Sequence, residues 1–233
     1  MKIKSFLSKE LECFSLFEKI FFPTVIIFLI FSSFILKDDK IALISAICGT
    51  SYSFLAGKGK ISCYYVGALG TFCYCYIAYK NTLFGNLALY ALFYFPMYII
   101  GYINWSKNLN KKSRSIIKTH LSKKEKLIYF PLMFILIILF NFVLITLGGK
   151  LTFIDSITTI CSIFGQILTV KRCYEQWYIW IIVNVLTLIM WIIAYANGSN
   201  CFATVIMWFI YTFFAFYFLI NWRKELISNE DNI

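Results

Sequence analysis

Residues 177–196 read WYIWIIVNVLTLIMWIIAYA, a stretch without a single charged side chain. About 20 such residues form a helix long enough to cross the hydrocarbon core of a bilayer. Trp177, Trp180 and Asn184 stand at positions i, i+3 and i+7, so they share one helix face. Two aromatic rings followed by an amide can hold a flat organic ring and hydrogen-bond a polar group attached to it. The stretch therefore predicts a membrane-spanning helix that carries a ligand site.

The composition of the whole chain agrees with this membrane assignment. Of its 233 residues, 61% are hydrophobic, 20% aromatic and only 14% charged, which is far from the proportions of a soluble domain. We predict an all-α integral membrane protein that forms one membrane domain over residues 1–233, with about eight transmembrane helices. The predicted spans are 20–36, 41–56, 61–79, 83–103, 127–147, 152–169, 174–196 and 200–220, of which the second is the shortest.

The distribution of Lys and Arg between the loops predicts the orientation. With eight spans, 18 of the 22 Lys and Arg residues fall on one side of the membrane and four on the other. Basic loops stay in the cytoplasm, so both termini and the basic loop 106–126 are predicted to be cytoplasmic. Residues 1–19 are predicted to form an amphipathic segment at the membrane surface, with a simple juxtamembrane leader as the alternative. Because topology and contact with the lipid bilayer account for the positive charge, no nucleic-acid partner is needed.

The chain also repeats itself weakly. Ile47-Cys48 recurs as Ile160-Cys161 and Lys58 as Lys171, both 113 residues later, and Asn104-Trp105 recurs as Asn221-Trp222 117 residues later. This pattern predicts a 3+1+3 core of two parallel repeats, helices 2–4 (41–105) and helices 6–8 (152–222). Helix 5 (127–147) would link them, and the first helix would lie at the periphery.

The two predicted repeats differ at the aromatic motif. At the offset of 113, the counterparts of Trp177, Trp180 and Asn184 are Tyr64, Gly67 and Thr71. We expect the glycine and the small polar residue to leave room for a ligand near the pseudo-symmetry axis.

Several kinds of chemistry are absent from the sequence. One His and scattered Cys predict no metal site, no cofactor is indicated, and no Gly-rich phosphate loop is present. The acidic residues Asp38, Asp39, Asp155 and Glu175 lie towards span ends, whereas coupled transporters commonly bury a carboxylate or His within a span. We predict a uniporter without enzymatic activity.

Three segments resemble the PnuC-type vitamin transporter family: KRCYEQWYIWIIVN (171–184), GYINWSK (101–107) and NWRK (221–224). The family's W-x-x-W-x-x-x-N substrate motif falls on Trp177, Trp180 and Asn184. The resemblance implies the 3+1+3 core, a homotrimer in the bacterial inner membrane, and uptake of nicotinamide riboside by facilitated diffusion. A cytoplasmic kinase would then trap the substrate by phosphorylation. Related transporters carry thiamine, riboflavin or deoxyribonucleosides, so the resemblance leaves the vitamin open.

Further polar residues within spans are weighed as parts of the same site. The candidates are Gln166, Asn104, Tyr98 and Tyr211, and each has helix-to-helix bonding as its alternative role. Trp105 and Trp222 are predicted to be interfacial anchors. A substrate-capture subunit of an energised vitamin importer remains an alternative function, and it would have about six helices and no internal duplication.

Overall fold

The computed structural model describes residues 14–36, 39–80, 82, 84–110, 115–148, 151–198 and 202–230, and it is helical almost throughout. The chain divides into two compact units, Met1–Ile117 and Lys118–Ile233. Residues 1–13, which hold most of the predicted amphipathic segment, lie outside the described residues.

The described residues of the first unit form four helical segments. They are α1 (Leu16–Leu36), α2 (Lys40–Gly57), α3 (Cys63–Lys80) and α4, which runs from Phe84–Leu89 through a π-helical turn at Tyr90–Tyr94 into Phe95–Lys107. Helix α2 packs chiefly against α3. The start of α1 is set by a reciprocal cap, in which the Ser15 N–H donates to the Glu18 carboxylate and the Glu18 N–H donates to the Ser15 hydroxyl. This helix begins four residues before its predicted start.

The second unit also contains four helices. They are α5 (Lys123–Thr146), α6 (Thr152–Val170), α7 (Gln176–Ala196) and α8 (Phe202–Glu230). Consecutive helices pack against each other, α5 on α6, α6 on α7 and α7 on α8. The start of α5 carries the same reciprocal cap as α1, here between Ser122 and Glu125.

In the part of the chain that the structure describes, seven helical segments are long and apolar enough to cross a membrane. The multi-pass membrane prediction is therefore confirmed. Helix α3 is the segment that does not meet the hydropathy criterion. The prediction instead named the second span, which corresponds to α2, as the shortest. Helix α3 is 18 residues long, and its sequence CYYVGALGTFCYCYIAYK contains five tyrosines, two glycines, a threonine and a lysine, which lower its hydropathy.

The turns that follow α2 and α6 have the same hydrogen bonds at the offset of 113. The amides of Lys58, Gly59 and Lys60 donate to the carbonyls of residues 54, 56 and 55, and those of residues 171, 172 and 173 donate to 167, 169 and 168. Gly59 and Arg172 occupy the left-handed region at φ +65° and +63°. The matching sequence positions therefore adopt matching local structures in each unit.

An ion pair joins the first helix of each unit to the end of its second helix. Lys58 Nζ lies 2.9 Å from a carboxylate oxygen of Glu18 in the first unit, and Lys171 Nζ bonds the Glu125 carboxylate in the second. The prediction treated α1 as peripheral and α5 as a linker. In local structure, however, the two helices share a cap and an ion pair, so the likeness of the units includes their first helices.

The basic segments of each unit collect at one end. In the first unit, the Ile116 N–H donates to the Gly59 carbonyl over 2.9 Å, which places the loop after α4 beside the turn after α2. In the second unit, the Thr119 N–H donates to the Arg172 carbonyl, also over 2.9 Å, and Lys118 pairs with Glu225. The predicted orientation requires this arrangement within each unit, because basic loops stay on the cytoplasmic side of the membrane.

Candidate functional site

The helix with the aromatic motif, α7, starts at a turn that is fastened to the loop before α5. The Glu175 carboxylate, which is buried, accepts the Leu121 N–H at 3.0 and 3.1 Å and pairs with Lys126 Nζ at 2.9 Å. The Tyr174 N–H donates to the Thr119 carbonyl over 2.9 Å. Charge-assisted and backbone bonds thus fix the position from which the motif residues project.

The same turn also buries a cysteine. Cys173 is buried, and this burial raises the pKa of its thiol. The thiol therefore stays protonated and packs as a small apolar group.

Trp177 is part of an aromatic stack between α7 and α8. Its ring centroid lies 5.5 Å from that of Phe218 and 5.6 Å from that of Trp222, the latter edge to face at 80°. The residue is only 3% exposed, and its Nε1 has no hydrogen-bond partner among the described residues. Trp177 consequently contributes both a packed ring and one unused donor to the interior of this unit.

Trp222 and Trp105 are fully buried. Trp105 packs edge to face on Tyr64 at 5.0 Å, as Trp222 does on Trp177. Their predicted role as interfacial anchors is therefore wrong, because an anchor must reach the headgroup region. In each unit, this tryptophan instead supports the aromatic ring on the neighbouring helix.

Trp180 faces α6 rather than α8. A Cβ placed on Gly165 would lie 3.0 Å from Cε2 of the Trp180 indole, so the ring covers this glycine. The indole Nε1 donates to the Thr169 hydroxyl over 3.3 Å. The two tryptophans of the motif therefore lean towards different neighbouring helices.

Asn184 is buried against α8. Its Nδ2 donates to the Tyr211 carbonyl over 3.0 Å, so this amide bonds two helices to each other. Its Oδ1 has no partner among the described residues. One end of the amide thus joins two helices, and the other end is an unused acceptor.

The remaining candidates divide between the units. Gln166 is fully buried in α6, and the half-buried Tyr211 on α8 packs edge to face on Trp208. Tyr98 and Asn104 lie on α4 of the first unit. The second unit therefore holds Trp177, Trp180, Asn184, Gln166 and Tyr211, five of the seven predicted residues.

Within the first unit, Tyr98 belongs to a cluster of tyrosine rings. Its centroid lies 5.1 Å from that of Tyr52 and 6.2 Å from that of Tyr64. Asn104 lies one turn before Asn108, whose Nδ2 donates to the Asn104 carbonyl over 2.8 Å.

The predicted space beside Gly67 is filled. A Cβ on Gly67 would lie 2.8 Å from the Tyr52 ring, so the expectation that this glycine leaves room for a ligand is wrong. Tyr52 precedes Gly165 by 113 residues, and Gly67 precedes Trp180 by the same number. In each unit an aromatic ring covers a glycine. In the first unit the ring lies on α2 and the glycine on α3, whereas in the second unit the glycine lies on α6 and the ring on α7. Comparing both members of each pair at this offset would have revealed the exchange in the sequence.

Thr169 and Gln176 were missing from the predicted site. Both are almost fully buried, and the Thr169 hydroxyl bonds Gln176 Oε1 as well as accepting from Trp180. Their signal in sequence was weak, because a threonine at the end of one span and a glutamine at the start of the next are common helix-end residues. Among the described residues, no group of three His, Cys, Asp or Glu side chains could hold a metal ion.

Comparisons with known proteins cover most of the chain. The family model described as nicotinamide mononucleotide transporter matches residues 39–224. A nicotinamide riboside transporter PnuC from Neisseria mucosa is 30% identical over 192 residues, 80% of this chain and 73% of the relative. One from Haemophilus influenzae is 30% identical over 210 residues, 89% of this chain and 90% of the relative.

A solved structure has the same fold. The crystal structure of the vitamin B3 transporter PnuC superposes with a TM-score of 0.79 at 27% identity, and the match covers 94% of this chain and 96% of that one. The match to the family model, the two relatives and the fold agree with one another. The chain therefore belongs to the nicotinamide mononucleotide transporter family, as a multi-pass membrane transporter.

Proposed function

We propose that this protein takes up nicotinamide riboside by facilitated diffusion. The observation that carries the proposal is a pair of polar atoms on α7: the donor Nε1 of Trp177, which is buried without a partner, and the acceptor Oδ1 of Asn184, which has no bond within the described residues. Seven residues separate them, or about 10 Å along the helix axis. A ligand that satisfies both needs polar groups at both ends, as a ring carboxamide and a ribose provide. The two relatives named as nicotinamide riboside transporters support this choice.

The ring system supports a cationic ligand. The nicotinamide ring of the riboside carries a fixed positive charge, and a cation over an indole face gains about 0.5–2 kcal/mol, depending on desolvation. Trp180, which is partly exposed, would supply such a face. Thiamine is also cationic, whereas uncharged riboflavin would gain only stacking. We propose Gln166 and Tyr211 of the second unit as further parts of this site, and a role for Tyr98 and Asn104 of the first unit stays a prediction from the sequence.

The phosphorylated form of the ligand fits the site less well. The family model is described by the mononucleotide, which adds a phosphate to the riboside. A buried phosphate requires a cation. The lysine that contacts the aromatic stack, Lys118 over the Trp222 ring at 5.0 Å, is already paired with Glu225. This pairing favours the riboside.

The distribution of buried acids favours uniport. Within the part of the chain that the structure describes, the buried carboxylates are Glu18 and Glu175, and each is paired with a lysine at a helix end. A proton-coupled transporter commonly needs an ionisable group within the span. Net uptake would then depend on trapping by a cytoplasmic kinase that phosphorylates the substrate. We further propose a homotrimer in the bacterial inner membrane, with both termini cytoplasmic and the 3+1+3 repeat as its core.

Calorimetry on the purified protein tests the substrate. We expect nicotinamide riboside to bind more tightly than nicotinamide mononucleotide, thiamine, riboflavin or a deoxyribonucleoside. Trp180→Ala should weaken riboside binding, whereas Thr187→Val is the matched control, because the Thr187 hydroxyl bonds only the Val183 carbonyl of its own helix over 2.8 Å. Tighter binding of another compound would assign the site to that compound instead.

Uptake into vesicles tests the mechanism. In vesicles without a kinase, the riboside should reach the external concentration and no more, and proton or sodium gradients should leave the final level unchanged. Accumulation above the external concentration would refute uniport.

A further inference from the structure

We infer that Thr169 and Gln176 are positioning residues, which hold the Trp180 indole so that it offers the ligand a ring face and no hydrogen-bond donor. The inference rests on the proposed function, since it assigns a role within the same site. It also gives the two tryptophans different roles in recognition. Trp180 would recognise the charge of the ligand, and Trp177 would supply the donor.

The Trp180 ring is held at its edge and on its face. At the edge, Nε1 donates to the Thr169 hydroxyl over 3.3 Å. On the face, the ring lies over Gly165, where a Cβ would approach Cε2 to 3.0 Å. An indole has only two side-chain torsions, so a bond at one edge and a contact on one face leave little freedom. The Trp180 side chain nevertheless stays partly exposed, so these contacts do not cover the whole ring.

Thr169 is itself fixed from two directions. Its hydroxyl lies 2.8 Å from the Gly165 carbonyl and also contacts the Gln176 amide. Thr169 and Gln176 are 2% and 1% exposed, so bulk water does not compete for these bonds. A hydroxyl has one proton and cannot donate to both oxygens. The hydroxyl proton therefore goes to one of these two oxygens, the Gly165 carbonyl or Gln176 Oε1, while the hydroxyl oxygen accepts from Trp180 Nε1.

This arrangement occupies the donor of one tryptophan and leaves the other unused. The Trp180 N–H is bonded to Thr169, whereas the Trp177 N–H has no partner among the described residues. A ring without a free donor attracts a cation through its π face. A ring with a free donor in a buried site favours a ligand that brings an acceptor. The different environments of the two tryptophans thus predict different contributions to specificity.

The test compares three variants by calorimetry with nicotinamide riboside. Thr169→Val keeps the side-chain shape but removes the hydroxyl, and it should weaken binding roughly 2- to 12-fold, as expected for the loss of one hydrogen bond. Thr169→Ser restores the hydroxyl and should restore the affinity. Thr187→Val removes a hydroxyl that bonds only its own helix, and it should bind as the unmodified protein does.

A spectroscopic measurement separates positioning from general packing. In ligand-free protein labelled with 5-fluorotryptophan, the resonance lost in Trp180→Phe identifies Trp180. Thr169→Val should shift or broaden that resonance more than the other five, and Thr169→Ser should return it. An unmoved Trp180 resonance in Thr169→Val would overturn the inference.

The outcomes also separate this inference from the proposed function. If Trp180→Ala leaves riboside affinity unchanged, the proposed site fails, and the positioning role fails with it. If Trp180→Ala weakens binding while Thr169→Val binds as tightly as the unmodified protein, the site stands and only the positioning role is wrong.

Discussion

Replacing Asn184 by leucine tests the site at the atom where ligand binding and helix packing can be separated. In the structure, Nδ2 bonds the Tyr211 carbonyl over 3.0 Å, and Oδ1 has no partner among the described residues. Leucine keeps the volume but removes both functions. Losing the bond to Tyr211 costs the fold about 0.5–1.5 kcal/mol. Leaving a ligand N–H without its acceptor in a dry site costs about 1–3 kcal/mol, or roughly 5- to 150-fold in Kd.

Asn184→Asp separates the two costs, because it retains an acceptor oxygen at the position of Oδ1. We expect Asn184→Asp to bind the riboside substantially better than Asn184→Leu does. The control is Thr212→Val on α8, whose hydroxyl bonds only the Trp208 carbonyl over 2.8 Å. Calorimetry is done on molecules that elute as the native oligomer. If Asn184→Leu lowers the melting temperature but leaves the affinity unchanged, Asn184 only joins helices, and the proposed site is wrong.

Three further predictions concern the scaffold. Lys58→Met removes the lysine that pairs with the Glu18 carboxylate, which is 2% exposed, and should lower the free energy of unfolding by about 3–5 kcal/mol. Lys171→Met breaks the pair with the Glu125 carboxylate, which is 37% exposed, and should lower it by about 1 kcal/mol or less. Comparable losses for the two variants in chemical unfolding would contradict this reasoning. Gly101→Ala places a Cβ against the Tyr64 ring and should lower the free energy of unfolding by about 1–3 kcal/mol. A second substitution that replaces Tyr64 by a smaller side chain should recover most of this loss. A cysteine at exposed Asn197 should react with an impermeant reagent in intact cells, and one at exposed Lys124 should not; the reverse pattern would invert the topology.

The sequence alone determined the membrane class, because hydrophobic runs of spanning length need no tertiary information to recognise. It also placed the motif of Trp177, Trp180 and Asn184 on one helix, since residues at these spacings share a face. The family followed from the same segment, and the comparisons confirmed it. The side of the membrane on which the termini lie stays a prediction from charge.

The direction and the partners of each motif side chain depended on the tertiary structure. Helical periodicity assigns a face but does not say which neighbour lies there, so it could not show that Trp180 covers Gly165 while Trp177 packs on Trp222. It also misplaced Trp222 at the membrane interface, because an aromatic residue at the end of a span has the same sequence signature whether it meets lipid or another ring.

The polar partners of the site were equally invisible in the sequence. Thr169 and Gln176 lie on different helices, and their bond exists only because the turn between α6 and α7 brings the two helix ends together. Spacing along the chain determines what one helix can present. Which of those groups remain unused for a ligand is decided by the side chains that neighbouring helices place against them.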